Sequence, residues 1–280
     1  MKNRDDHHHS DDHHHGLAHD LRVLAGMKDR RQALRLFAGA SLVPMFACAP
    51  NESLITPDGS AATAGGEAGA AGTCSTIPDE TGGPYPGDGS NGPNALGLGG
   101  IVRSDIRTSL APASGTAEGV PLTIELTLVN TGSGCSPLAG YAVYLWHCDR
   151  EGRYSMYTIT DQNYLRGVQE SDASGTVTFT SIFPACYPGR WPHIHFEIYR
   201  SAAQALAGSG EVKTSQLALP EDVCKTVFAT TGYGQSVSNL AQVSLASDNV
   251  FSDGASLQLA PTSGSVAAGY VASLTVGVAA

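Results

Sequence analysis

Charge is scarce in this chain, and positive charge most of all. Asp, Glu, Lys and Arg make up 15% of the 280 residues, with 16 Lys and Arg against 26 Asp and Glu. The resulting formal net charge of −10 argues against the basic footprint that a nucleic-acid-binding surface requires. Long apolar runs are missing too: no uncharged apolar stretch reaches the ~18 residues that span a bilayer. There is little helical periodicity, and 33 glycines are too many for a helical bundle or coiled coil. No C-x-x-C pair occurs, which removes the usual thiolate zinc sites. A hydrophobic share of 41% is nevertheless too high for a disordered chain. The unusual abundance is histidine, with ten residues, so their placement matters.

Seven of the ten lie within the first nineteen residues (His7, His8, His9, His13, His14, His15 and His19), interleaved with Asp. This reads as a solvated leader, with a metal-collecting tract as the alternative. Asp29–Arg35 is basic and is followed by the apolar run Leu36–Ala47, the layout of an export signal. Its Arg30-Arg31 pair resembles a twin-arginine signal. Cleavage after Ala47-Cys48-Ala49 and lipid attachment at Cys48, through the lipobox-like Met45-Phe46-Ala47-Cys48, both remain open. Residues 49–73, rich in Ala, Gly, Ser and Thr, read as a flexible tether. The expected organisation is a leader over 1–48, a linker over 49–73 and one folded domain over 74–280. The expected location is the cell envelope or the exterior. Beyond residue 50 only nine basic residues face twenty acidic ones, so each cation in the body stands out.

The body reads as all-β: a single antiparallel β-sandwich with few short helices, behind a disordered leader and linker. Pro121–Leu128 alternates apolar and polar residues, Ala142–Trp146 is an apolar run, and Gly175–Phe179 alternates again. Ile194–Tyr199, Ser256–Leu259 and Tyr270–Val278 supply further strand candidates. Pro220–Thr226 is the one helical turn anticipated, with Pro220 at its start and Glu221 and Asp222 suited to a helix N-terminus.

The chemistry concentrates in two stretches. In Pro184-Ala185-Cys186-Tyr187-Pro188-Gly189-Arg190-Trp191-Pro192-His193-Ile194-His195-Phe196, a strand puts His193 and His195 on one face, opposite Ile194 and Phe196. Two imidazoles so placed suit Zn, Cu, Fe or Ni. The second stretch, Trp146-His147-Cys148-Asp149-Arg150-Glu151-Gly152-Arg153-Tyr154, follows an apolar strand and ends in a turn.

Together these stretches resemble the intradiol ring-cleavage dioxygenases of the catechol and protocatechuate type. In that family a W-x-x-x-x-x-G-R-Y segment and a P-x-x-Y-P segment each give a tyrosinate to a ferric ion, and H-I-H-F gives two histidines. The matching positions here are Tyr154, Tyr187, His193 and His195, in that order. Thr81-Gly82-Gly83-Pro84-Tyr85 is also similar to a family segment, and the resemblance spans roughly 75–280, closest to an exported bacterial branch. It implies an Fe(III) cofactor and cleavage of a catecholic substrate between its two hydroxyl-bearing carbons. Both atoms of O2 enter a muconate-type dicarboxylate, and no nicotinamide, flavin or external reductant is involved. Tyr187 would leave the metal and accept a proton, Arg190 would stabilise negative charge on the ring, and Gln216 would stand behind the ligands. The physical logic agrees: a free tyrosine, with pKa near 10, stays neutral, and a trivalent cation deprotonates it.

His147 and Arg166 are expected to be structural. Tyr187 and His193 are only six positions apart, closer than in protocatechuate enzymes, which points to a more open cleft and leaves the particular catechol undetermined. Cys74, Cys135, Cys148, Cys186 and Cys224 allow at most two disulfides; a bridge from Cys186 to Cys135 or Cys224 would brace the Tyr187 loop. The alternatives to an enzyme are a non-catalytic exported β-sandwich that binds a metal or ligand, and a copper or zinc protein built on the H-x-H pair.

Overall fold

The structure is a computed structural model that describes residues 74–280. The leader, the tether and Cys48 lie outside the described residues. Among the described residues nine strands form two sheets. The first holds β1 (Pro121–Asn130), β2 (Ser136–Pro137), β5 (Thr176–Ile182), β8 (Thr262–Ser265) and β9 (Gly269–Val278). In it β1 is central, flanked by β9 on one side and by β5 and the short β2 on the other. The second has the order β4-β3-β6-β7, from β3 (Ala142–Trp146), β4 (Arg166–Glu170), β6 (His193–Tyr199) and β7 (Glu211–Ala218). Three short α-helices, α1 (Ala202–Leu206), α2 (Glu221–Phe228) and α3 (Gly234–Leu240), and a 3-10 turn over Phe251–Asp253 complete the described elements. Among the described residues no helix is long and apolar enough to cross a membrane.

The alternating strands pack as their sequences dictate. Ile124, Leu126 and Leu128 of β1, Val177 and Phe179 of β5, and Ala272, Leu274 and Val276 of β9 face Val143 and Leu145 of β3 and Ile194, Phe196 and Ile198 of β6. Each large side chain so buried contributes roughly 1.5–3 kcal/mol. The strands β3 and β6 are buried on both faces. Their second face, with Tyr144 and Trp146, packs into a separate cluster that includes Tyr154, Ala185 and Leu96. The two histidines of β6 lie on this second face.

Three expectations need correction. The sandwich is not purely antiparallel: β1 and β9 run parallel over nine residue pairs, because the whole second sheet and the helices intervene and give the crossover its length. Ser256–Leu259 forms turns rather than a strand, with a single bridge from Leu259 to Ala218. The disulfide joins Cys74 to Cys135, while Cys148, Cys186 and Cys224 are buried thiols. Cys135 sits in the turn after β1, beside the start of the described chain. Cys186 is held in the inter-sheet core with its thiol donating to the Arg190 carbonyl (3.4 Å), so it braces the loop without a bridge.

Candidate metal centre and its surroundings

The register of the second sheet places three site residues side by side. His195 of β6 pairs with Trp146 of β3 on one side and with Gln216 of β7 on the other. Directly opposed residues share a face, so all three project to the same side of the sheet. Tyr187 arrives from the loop before β6. There Pro188 and Gly189, the latter at φ +81°, form a tight turn closed by the Arg190 amide donating to the Tyr187 carbonyl (3.3 Å). The turn folds Arg190 back beside Tyr187. Helix α3 fixes this loop from behind: the Asn239 amide donates to the Cys186 carbonyl (2.8 Å), and the Cys186 amide donates to Ser236 Oγ (3.0 Å).

Tyr154 comes from the loop after β3. Asp149 organises it by accepting from the amides of Glu151 (2.9 Å) and Arg153 (3.0 Å) and from Arg153 Nε (3.0 Å). Gly152 has φ +82°, and a Cβ there would stand 3.1 Å from Tyr187 Cβ, so the glycine lets the two tyrosine loops touch. From the other side, Gly83 (φ +72°) lies so near His195 that a Cβ would approach its Cε1 to 3.2 Å. Tyr85 packs on Tyr154, with ring centroids 4.8 Å apart.

The four expected ligand positions come together. Tyr154 Oη is 3.4 Å from Tyr187 Oη, Tyr187 Oη is 3.1 Å from His193 Nε2, and His193 Nε2 is 3.1 Å from His195 Nε2. Arg190 and Gln216 adjoin the cluster. Arg190 Nη1 is 3.4 Å from His193 Nε2, and Arg190 Nη2 donates to Gln216 Oε1 (2.7 Å). Gln216 Nε2 donates in turn to the Thr81 carbonyl (2.8 Å), which ties the Thr81–Tyr85 segment over the site.

His147 and Arg166 serve as scaffold. His147 bridges Ser181 Oγ and the Cys148 carbonyl, both at 2.7 Å. Arg166, buried, donates to the carbonyls of Tyr85, Pro86 and Ser155 and so joins the Tyr85 segment to the residue after Tyr154. Sequence reasoning did not single out Asp248. It is fully buried and accepts from Arg190 Nε (2.9 Å) and the Trp191 amide (2.7 Å).

Burial sets the protonation states. It pushes His193 and His195 well below the usual imidazole value, and the neighbouring Arg190 charge adds to the effect, so both rings are neutral. His193 Nδ1 lies 2.5 Å from the Trp191 carbonyl. A carbonyl only accepts, so Nδ1 carries the proton and Nε2 presents its lone pair to the cluster. A backbone carbonyl fixing the tautomer of a metal-binding histidine is a recurrent arrangement. Burial, then the adjacent Tyr187, push the Tyr154 phenol well above its ordinary value, so only a strong local positive charge deprotonates it. His195 Nδ1 is buried with no hydrogen-bond partner.

Two phenol oxygens and two neutral imidazole nitrogens in linked contacts of 3.1–3.4 Å form a donor set that fits a ferric ion. The set rests on its tyrosines: among the described residues no three His, Cys, Asp or Glu side chains gather as a metal site.

The β-sandwich thus gathers two loop tyrosines and two strand histidines against one face of its second sheet, the arrangement of an oxygenase. Residues 103–226 match the family model described as "Dioxygenase". Over this segment and in its fold the chain resembles the intradiol ring-cleavage dioxygenases. An intradiol ring-cleavage dioxygenase from Tetranychus urticae shares 25% identity, with a TM-score of 0.56, over 73% of this chain and 95% of that one. A second dioxygenase crystal structure shares 25% identity, with a TM-score of 0.52, over 64% and 86% of the two chains. The dioxygenase domain of a carbohydrate-binding fusion protein from Streptomyces sp. SirexAA-E lies at 22% identity and a TM-score of 0.46, over 72% and 97%. No curated protein matches the chain.

Proposed function

We propose that this enzyme holds Fe(III) through Tyr154, Tyr187, His193 and His195 and cleaves a catechol-type ring between its two hydroxyl-bearing carbons. One O2 is consumed, and both of its atoms enter a muconate-type dicarboxylate. The observation that carries this reading is the chain of short contacts among the four donor atoms. A ferric ion there supplies Lewis acidity toward the two substrate oxygens.

The protein residues divide the remaining work. Tyr154, fully buried under Tyr85, is the fixed phenolate donor. Tyr187 is only half-buried and stands at the rim, so it is the donor that gives way to substrate and accepts a proton from a substrate hydroxyl. His193 and His195 stay neutral and keep their lone pairs available. Arg190 holds a buried positive charge beside Tyr187 and His193, where it stabilises negative charge developing on the ring. Gln216 anchors Arg190 and the Thr81 carbonyl together.

Purified iron-loaded protein should be red to burgundy from tyrosinate-to-iron charge transfer. Adding catechols without oxygen should shift that band, and adding oxygen should consume one O2 per ring opened. A colourless protein from iron-replete expression, or one that takes up no oxygen with any catechol, overturns the reading.

The reading includes export, by the twin-arginine-type leader of residues 1–48. A disulfide between Cys74 and Cys135 supports an oxidising destination. Mass analysis of the mature N-terminus separates cleavage after Ala49 from lipid attachment at Cys48.

A further inference from the structure

A buried arginine has three nitrogens to place, and at Arg190 two of them are fixed by other side chains. Nε donates to Asp248 Oδ2 (2.9 Å) and Nη2 donates to Gln216 Oε1 (2.7 Å). Only Nη1 points toward the donor cluster, at 3.4 Å from His193 Nε2. Asp248 is itself immobilised. It is fully buried, and its Oδ2 also accepts from the Trp191 amide (2.7 Å). Its Oδ1 accepts from the amides of Val250 (2.8 Å) and Phe251 (3.2 Å), which begin a 3-10 turn over Phe251–Asp253. Four donors therefore saturate one carboxylate, and its orientation is set by backbone rather than by solvent.

We propose that Asp248 is a positioning residue for ring cleavage: its carboxylate grips Arg190 by Nε and the Trp191 amide beside it, and so aims the Nη1 edge of the guanidinium at the site of charge development. The proposal rests on the reading of the chain as a ring-cleaving dioxygenase. With the His193 Nε2 lone pair engaged in holding a metal, Arg190 Nη1 would have no acceptor there, and its protons would be free for an anionic oxygen of bound substrate. Asp248 also holds two parts of the ligand framework in one grip. The Trp191 amide it binds belongs to the residue whose carbonyl fixes the His193 tautomer. The carboxylate has a second consequence. It keeps the guanidinium charge compensated from behind, so Arg190 remains buried before substrate arrives.

The test uses the full-length iron-loaded protein. Oxygen uptake with catechol gives kcat, anaerobic titration with 4-nitrocatechol gives the affinity of a chelating probe, and the charge-transfer band reports the metal and its tyrosinates. Asp248→Asn is expected to lower kcat at least about ten-fold, while probe affinity and band position stay within about three-fold and a few nanometres of the unaltered protein. In an Arg190→Gln background, Asp248→Asn should bring no further loss, since it acts through an arginine that is no longer there. Unchanged kcat in Asp248→Asn, or an equal loss in both backgrounds, overturns the proposal.

Should Asp248→Asn fail to fold, Arg190→Lys tests the same grip from the other side. Lysine keeps the charge but has no fork to hold by one nitrogen while aiming another. A kcat as low as that of Arg190→Gln supports positioning, and recovery of the unaltered kcat by Lys overturns it. Failure of the unaltered protein to take up oxygen overturns the ring-cleavage reading itself, and it is seen before any variant is compared.

Discussion

Trp146 lies flat against His195, with ring centroids 5.1 Å apart and planes within 3° of parallel. The two residues are directly paired across β3 and β6. The chain's other tryptophan, Trp191, is bonded through its carbonyl to His193. Only the Trp146 indole thus adjoins the candidate centre; the Trp191 indole lies in the inter-sheet core, donating to the Leu219 carbonyl (2.9 Å). Iron loading should therefore quench the Trp146 share of the tryptophan emission, and chelation of the iron should restore it; in a Trp191→Phe background the quenching should approach completeness. Emission indifferent to iron would show that the metal binds elsewhere.

The two tyrosines should separate by experiment. Tyr187→Phe removes the rim donor and proton acceptor, and should reduce turnover by about 100-fold or more. Tyr154 should still give a coloured, though shifted, iron complex. Retention of full oxygen uptake in Tyr187→Phe would reassign the proton acceptor.

Gly152→Ala tests the contact between the tyrosine loops. Its left-handed backbone costs a non-glycine residue about 1 kcal/mol, and the added methyl meets Tyr187 Cβ at 3.1 Å. The variant should melt a few degrees lower and turn over about ten-fold more slowly, from a displacement of Tyr187 well under 1 Å. A stability loss without a turnover loss would mean that the loop yields and the ligand does not.

Acid should weaken the fold partly through His147. Burial pushes this imidazole down to about 4, against roughly 6.5 in the unfolded chain. Between those values the unfolded state binds the proton and the folded state does not. Stability therefore falls as pH drops from about 6.5 to about 4, by at most about 3 kcal/mol, and this contribution is level outside that window. His147→Gln, which cannot titrate, should lose less stability than the unaltered protein between pH 7.5 and pH 4.5 in urea unfolding. Parallel losses would place the acid sensitivity elsewhere.

Strands were legible where burial is achieved by apolar side chains. The run Ala142–Trp146 is the strand β3 with the same bounds, and Pro121–Leu128, Gly175–Phe179, Ile194–Tyr199 and Tyr270–Val278 lie within or overlap β1, β5, β6 and β9. Strands β4 and β7 were not anticipated, because they bury polar groups by hydrogen bonding. Arg166 donates to carbonyls, Ser215 donates to the Pro78 carbonyl, and Gln216 joins Arg190. No period-two hydrophobic signal survives such residues. The site followed the same division. Tyr154, Tyr187, His193 and His195 were marked by their motifs, and the structure places them together. Asp248 was not, since an acid between Ser247 and Asn249 reads as an ordinary loop residue until the turn around it closes on Arg190. The cysteine pairing was hidden for another reason: it depends on the turn after β1 meeting the chain near Cys74, a proximity that no local pattern encodes.

The parallel pairing of β1 with β9 has a kinetic side. Partners such as Leu122 and Tyr270 stand roughly 150 residues apart, so the central ladder of the first sheet forms only after a very long loop is closed. Until β9 docks, β1 presents one unpaired edge and the apolar side chains of Ala272, Leu274 and Val276 are missing from the inter-sheet core. The last ten-residue strand is thus a keystone: the sandwich assembles slowly, and a chain shortened by that strand is a candidate for aggregation rather than a slightly frayed enzyme.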